Sequence, residues 1–227
     1  MPLRAIVFDF DGVIANSEPL HFAGYRDILA EEGVTLTEAD YYQRYLGFND
    51  AGAFEAIGAE QGASWTRARI DDMVARKAVR LEELERDVSI LFPGAADAIR
   101  RASAAVPIAI ASGARGQEIR RVLERENLLA CFAAIVAAED TQVSKPAPDP
   151  YLRALALLMP TAGDNLKAAE CVAIEDSHWG LMSARAAGLR TVGVTQTYAA
   201  SILVDADLVI ESLHLLKIEQ LIKICSE

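Results

Sequence analysis

Six short apolar runs, at residues 5–8, 106–111, 134–137, 171–174, 191–194 and, more weakly, 208–210, punctuate the chain. Runs of that length read as buried strands, and the stretches 94–104, 117–126, 150–158 and 181–187 place apolar residues three and four apart, as one helix face does. The alternation predicts an α/β fold, a Rossmann-like and mostly parallel sheet with helices on both faces. One interval breaks the rhythm. Between residue 14 and about residue 92 no strand pattern recurs, and helices are expected at 20–32, 37–46, 50–60 and 65–85. Gly33, Gly47, Gly52, Gly58 and Gly62 fit its turns, Trp65 reads as part of its core, and Pro93-Gly94 marks the return to the sheet. The expected organisation is a core of residues 1–15 and 92–227 with an α-helical cap of residues 16–91 inserted after the first strand. The crossings at about 14–18 and 86–92 would act as hinges of a mobile lid.

Composition excludes several classes. A 227-residue chain can bury a substantial core, and although 52% of it is hydrophobic, no stretch approaches the ~20 apolar residues of a membrane span. Met1-Pro2-Leu3-Arg4 runs into the first strand without a signal-peptide apolar region, so cytoplasmic residence is expected. With 22 Lys plus Arg against 33 Asp plus Glu the formal charge is −11, and no basic stripe offers itself to nucleic acid. An anionic substrate would need a locally built site. Cys131, Cys171 and Cys225 form no C-x-x-C pair, and His21, His178 and His214 lack zinc-ligand spacing, so neither a disulfide nor a zinc site is expected. Nothing resembles a coiled-coil seam, which makes a monomer the expectation.

The polar residues of interest follow the strands. Ala5-Ile6-Val7-Phe8 runs into Asp9-Phe10-Asp11-Gly12-Val13, and alternation along a strand would send Asp9 and Asp11 to one side beyond its carboxyl end, where a divalent cation could sit. Asp and Gly also end strands simply by making turns. After the second strand, Ser112-Gly113-Ala114-Arg115 precedes a helix. A hydroxyl and free amides there could hold an oxyanion, or Ser112 could be an ordinary N-cap with Gly113 following. Lys145 lies in Val143-Ser144-Lys145-Pro146-Ala147-Pro148-Asp149-Pro150, where rigid prolines could fix an ammonium against anionic oxygen, or where it could be a surface lysine. Finally Cys171-Val172-Ala173-Ile174 ends in Glu175-Asp176-Ser177. Two acidic strand ends in one parallel sheet repel unless a cation neutralises them, and magnesium suits such oxygen ligands.

Taken in order, Asp9-x-Asp11, Ser112, Lys145 and Glu175-Asp176, with the local patterns Asp-Phe-Asp-Gly-Val, Ser-Lys-Pro-x-Pro and Glu-Asp-Ser-x-x-Gly, resemble the four motifs of the haloacid dehalogenase superfamily. The resemblance spans essentially the whole core. The helical insert is similar to the cap of the branch containing small-molecule phosphatases and β-phosphoglucomutase. The resemblance implies that Asp9 is a nucleophile forming an aspartyl-phosphate and that Asp11 is the general acid and base. It also implies Mg2+ held by Asp9, the Asp11 carbonyl and Asp176 with Glu175 through water, and Lys145, Ser112 and Gly113 around the phosphoryl oxygens. The substrate would be a small phosphorylated metabolite.

Within the superfamily, the paired Asp11 argues against a dehalogenase, which needs no leaving-group proton. Phosphatase and mutase share the aspartyl-phosphate. In β-phosphoglucomutase an arginine follows the cap glycine, whereas here Gly47-Phe48-Asn49 leads to Asp50, whose charge would repel a second phosphate; Gly116 also stands where the mutase resemblance calls for asparagine. A phosphatase is therefore expected, with a sugar phosphomutase as the alternative. Asn16 replaces the commoner aspartate of the hinge. His21, Arg44 and Lys77 in the cap, and Arg115 beyond the phosphate loop, are the groups expected to reach substrate, although each could equally serve packing or solvation. His178 and Trp179 read as packing. A receiver-type signalling module would be about half this length, and a catalytically silent phosphate- or metal-binding module would leave the full set of acidic, hydroxyl and amine groups without a purpose.

Overall fold

The computed structural model describes residues 2–46, 48–86 and 88–226; Gly47 and Asp87, with the two terminal residues, lie outside the described set. The expected turn at Gly47 therefore goes undescribed. The chain divides into two compact units, residues 2–16 with 90–226, and Ser17–Ser89.

β1 (Ala5–Phe8) is fully buried and stops at Phe8, immediately before the first acidic residue. Among its described residues the unit Ser17–Ser89 then holds four α-helices: α1 (Glu18–Glu31), the short α2 (Glu38–Asp40), α3 (Asp50–Glu60) and α4 (Arg67–Glu85). Local chemistry sets several starts. Thr37, Asn49 and Thr66 each accept a backbone N–H from the first turn of the helix they precede, the N-cap arrangement that satisfies an orphan donor. The helix expected over 37–46 divides, with α2 passing into a π-helical turn at Tyr41–Tyr45. That turn brings Tyr41 and Tyr45 into a core with Tyr25, Leu29, Phe54, Ile57 and Met73, against which Trp65 packs.

The second unit resumes with α5 (Ala95–Ala105), β2 (Ile108–Ala111), α6 (Gly116–Arg125), β3 (Phe132–Val136), α7 (Asp149–Ala162), β4 (Cys171–Glu175), α8 (His178–Ala186), β5 (Arg190–Val194), β6 (Leu208–Ile210) and α9 (Ile218–Ser226). β2 starts two residues later than the apolar run because Val106 and Pro107 only lead into it. β3 starts two residues before its apolar run, on partly exposed Phe132 and exposed Ala133, because it is an edge strand whose side chains are not fully buried. The six strands form one parallel sheet in the order β3-β2-β1-β4-β5-β6. This is the α/β architecture expected from the alternation.

The order fixes where function can lie. The chain builds outward from β1 through β2 to β3, then returns to β4 on the other side of β1, so the β1/β4 boundary is the topological switch point, where a crevice opens beyond the carboxyl ends of the strands. Phe8 is in register with Ile174, and the Asp9 amide donates to the Ile174 carbonyl at 2.9 Å. Asp9 and the acidic pair after Ile174 thus leave the sheet side by side. Cys171 and Cys225 are buried thiols, Cys131 is half-buried, and none forms a disulfide. No helix of the described residues is long and apolar enough to cross a membrane.

Candidate active site

The chain turns immediately after β1. Gly12 adopts φ 74°, its amide donates to the Ala15 carbonyl at 2.9 Å, and the Ile14 and Ala15 amides both return to Phe10 at 2.8 and 2.9 Å. A side chain at Gly12 would collide with the Asp176 carboxylate and the Thr197 hydroxyl, so the close approach of these segments requires glycine as much as φ does. Because regular pairing ends at Phe8, strand alternation does not extend to Asp11. Asp11 is half-buried and forms an isolated bridge with Ala15. Asp9 is buried, and its Oδ1 accepts from the Phe10 amide at 2.7 Å.

Lys145 reaches this carboxylate from the loop before α7. Its Nζ lies 3.0 Å from Asp9 Oδ1 and 2.7 Å from Glu175 Oε1, and 5.3 Å from the ring centre of Tyr151. It is not a solvated surface lysine. Burial disfavours its charge, but the carboxylates of Asp9 and Glu175 outweigh that and hold its pKa above the ordinary lysine value. Glu175 is fully buried, and three groups orient it: Lys145, the Tyr151 hydroxyl donating at 2.6 Å to the same oxygen, and the Ser177 hydroxyl at 3.3 Å from the other. The carboxyl lies against Gly180, where any Cβ would overlap it. Ser177 also caps α8, accepting from the Gly180 amide at 3.1 Å, which is why that helix begins at His178, earlier than its apolar period suggests.

Carboxylate oxygens of Asp9, Glu175 and Asp176 all lie within 4.8 Å of one another, and all three residues are buried. Among the described residues this is the one such acidic group, and the Asp11 carboxylate is not part of it. Burial and the neighbouring Asp9 charge push Glu175 up to about 7, against the opposing pull of Lys145. Burial, Asp9 and Glu175 push Asp176 up to about 8, against a hydrogen bond from Thr197. Three buried carboxylates facing one ammonium leave an excess of negative charge that a hard divalent cation fits, since such ions take carboxylate oxygens and retain water.

Ser112 and Gly113 follow β2, the other neighbour of β1. Phe8 is level with Ile110, so Ser112 stands one residue further along its strand than Asp9 does along β1. Ser112 is buried, its amide donates to Val136 at 3.0 Å and its Oγ accepts from the Ala114 amide at 3.1 Å. Its hydroxyl therefore makes a turn rather than capping α6, whose N-cap position is held by exposed Arg115. A Cβ at Gly113 would meet nothing within 4 Å, so the loop is open on that side. Gly116, where the mutase resemblance calls for asparagine, donates its amide to Glu139 Oε1 at 3.0 Å.

His21, Arg44, Asp50 and Lys77 belong to the unit Ser17–Ser89. His21 and Lys77 meet: Lys77 Nζ is 3.0 Å from His21 Nδ1, 2.6 Å from Asp50 Oδ1 and 4.0 Å from the Tyr25 ring centre. Lys77 is 1% exposed, so it is a buried ion-pair partner and not a free cation. This corrects the reading of Asp50 as an unopposed negative charge. Burial alone would raise the Asp50 pKa, but the Lys77 ammonium and the Tyr25 hydroxyl hold it below the usual carboxylate range. Arg44 is paired with Glu60 and lies over the Tyr45 ring at 5.4 Å. His178 faces Asp205 at 3.7 Å and Trp179 at 5.5 Å between ring centres, while Trp179 is 60% exposed and so does not pack as expected.

Sequence reasoning missed Tyr151, Gln196 and Thr197. Tyr151 sits at a core position of an amphipathic helix, and nothing in that pattern separates it from an ordinary apolar contact. Gln196 and Thr197 follow β5 without a motif to mark them.

Comparison with known proteins gives a consistent picture. Residues 6–194 match the haloacid dehalogenase-like hydrolase family. Protein CbbY of Rhodobacter capsulatus is 32% identical over 206 residues, covering 87% of this chain and 88% of that protein. A crystal structure of CbbY from Rhodobacter sphaeroides with xylulose 1,5-bisphosphate superposes with a TM-score of 0.78 at 25% identity, covering 94% of this chain and 96% of that one. Two relatives are each 28% identical: β-phosphoglucomutase of Bacillus subtilis, covering 93% of this chain and 94% of the enzyme, and hexitol phosphatase B of Escherichia coli K12, covering 85% and 83%.

Proposed function

Since the chain belongs to the haloacid dehalogenase-like hydrolases, we propose that it is a magnesium-dependent phosphatase that hydrolyses a small phosphomonoester through an aspartyl-phosphate on Asp9. The observation that carries this reading is the convergence of Asp9, Glu175 and Asp176 on one point with Lys145 bridging Asp9 and Glu175. Asp9, Asp176 and the Asp11 carbonyl would hold magnesium, with Glu175 behind them. The bound cation would neutralise phosphoryl oxygens and the carboxylates around them.

In the first step an Asp9 carboxylate oxygen attacks phosphorus, the bond from phosphorus to the ester oxygen breaks, and Asp11 gives its proton to the departing alkoxide. Asp11, now ionised, then takes a proton from water as that water attacks phosphorus, and Asp9 leaves as a carboxylate with release of inorganic phosphate. The Phe10 amide and Lys145 fix the Asp9 carboxylate in one orientation, which lowers the reorganisation needed for attack. Lys145, the Ser112 hydroxyl and amides of the open Gly113 loop would bind the oxygens of the transferring group, where charge stabilisation contributes most. Tyr151 and Glu175 keep the Lys145 ammonium in place.

The names of the relatives support a phosphorylated carbohydrate or polyol as substrate. A mutase remains the second reading, favoured by the pairing of Asp50 with Lys77, which removes the unopposed charge expected to repel a second phosphate, and by the β-phosphoglucomutase likeness. Phosphate release from a panel of sugar and polyol phosphates including β-glucose 1-phosphate, followed alongside glucose 6-phosphate, separates the two. Multiple-turnover release that needs magnesium is expected; glucose 6-phosphate formed without net release would make the enzyme a mutase.

A further inference from the structure

A side chain from outside anchors the loop that carries Asp11. Gln196, two residues past β5, donates its Nε2 to the carbonyls of both Gly12 and Val13 at 3.0 Å each. Its Oε1 accepts from the Leu213 amide at 3.3 Å. One carboxamide thus ties together the turn after Asp11, the exit of β5 and the segment after β6. The residues on either side hold it in place. The Thr195 amide donates to Ile210 at 3.0 Å, extending the β5–β6 ladder up to Gln196, and the Thr197 hydroxyl bonds Asp176. Within the turn, the Gly12, Ile14 and Ala15 amides are satisfied internally, whereas the Gly12 and Val13 carbonyls point outward to Gln196. A planar carboxamide is the side chain that can donate to two carbonyls while accepting from an amide.

We propose that Gln196 is a positioning residue for Asp11, its carboxamide clamping the Gly12 and Val13 carbonyls to Leu213 so that the Asp11 loop is held fixed against the end of β5. The proposal rests on the reading of Asp11 as general acid. A proton donor displaced by a fraction of an ångström transfers less effectively, while the Asp9 carboxylate is oriented independently by the β1/β4 pairing, the Phe10 amide and Lys145. Lost proton donation therefore shows with the poorer leaving group, whereas a magnesium site disturbed through the Asp11 carbonyl slows good and poor leaving groups alike.

The test compares kcat/KM for phenyl phosphate and p-nitrophenyl phosphate in wild type, Gln196→Ala and Gln196→Glu. Nitrophenolate departs without a proton, and phenolate is the poorer leaving group. Glutamate keeps the side-chain volume, should the alanine variant fail to fold, but removes the donors and faces two carbonyls with a charge. The ratio of the two constants should widen about tenfold or more in both variants, within the range seen when outer-shell partners are removed. An unchanged ratio, whether both substrates decline together or neither does, overturns the proposal, because a merely structural role weakens both alike. If the wild type turns over neither ester, the phosphatase reading is decided by the sugar and polyol phosphate panel and not by this comparison. Amide exchange at Gly12, Ile14 and Ala15 then judges the clamp on its own: faster exchange in Gln196→Ala upholds it, and unchanged exchange overturns it.

Discussion

Glu175 and Asp176 show how one pair of residues ties charge to stability. In the metal-free chain their carboxyls are held protonated up to about 7 and about 8, whereas ordinary carboxyls in an unfolded chain ionise near ~4. Groups raised on folding contribute stability that is fully present below the unfolded value and is lost as pH rises through the folded one. The metal-free protein should therefore lose stability between pH ~4 and ~8, and magnesium should raise Tm much more at pH 8 than at pH 5. Melting curves with chelator and with magnesium at both values check this; an equal shift at both would contradict it. At the neighbouring Gly180, Gly180→Ala drives a methyl into the Glu175 carboxyl. We expect a loss of about 1–3 kcal/mol by denaturant titration, as overpacked sites show, and a fall of about tenfold in turnover as Lys145 loses its partner. The acidic and hydroxyl residues were legible in the sequence because each follows directly on an apolar run that reads as a strand, and Lys145 because prolines stiffen the loop around it. Tyr151 was not, since a tyrosine that donates to a buried carboxylate and one that packs look the same in a helical pattern.

Among the elements, three helices of the helical unit meet at an ion pair whose ammonium is buried and whose carboxylate is partly exposed. Lys77 in α4 and Asp50 at the start of α3 join through a 2.6 Å contact, with Tyr25 of α1 donating to the same oxygen. Asp50→Ala would strand the Lys77 ammonium in an interior with 1% exposure and should destabilise the protein by about 3 kcal/mol or more. Asp50→Ala with Lys77→Met should recover most of that loss. A double-mutant cycle by denaturant titration measures it, and a double variant no more stable than Asp50→Ala would show that the pair is not what holds these helices together. The presence of four helical segments between β1 and the return to the sheet was legible from apolar spacing. The π-helical turn at Tyr41–Tyr45 was not, because it follows from seating two tyrosines in one core and not from local propensity. The pairing of Asp50 with Lys77 was equally hidden: the two are 27 residues apart, and a sequence shows each charge alone.

For the whole molecule, the alternation of strands and helices implied a parallel sheet, but the strand order came only from the structure, and that order puts β1 beside β4 and both acidic strand ends at one switch point. A formal charge of −11 gives the molecule as a whole a field that repels anions. For a dianionic phosphomonoester, kcat/KM should thus rise severalfold between ~10 mM and ~150 mM salt, as the screening length falls from ~30 to ~8 Å; a fall with salt would mean that local positive charge dominates capture. That Asp9 carries the phosphoryl group is tested by acid-quenching the enzyme during turnover of β-glucose 1-phosphate with magnesium and mapping phosphorylation by peptide mass spectrometry. One phosphoryl increment is expected on the peptide bearing Asp9, lost on base treatment and absent from Asp9→Asn. Turnover that continues in Asp9→Asn, or an increment on any other residue, would contradict it.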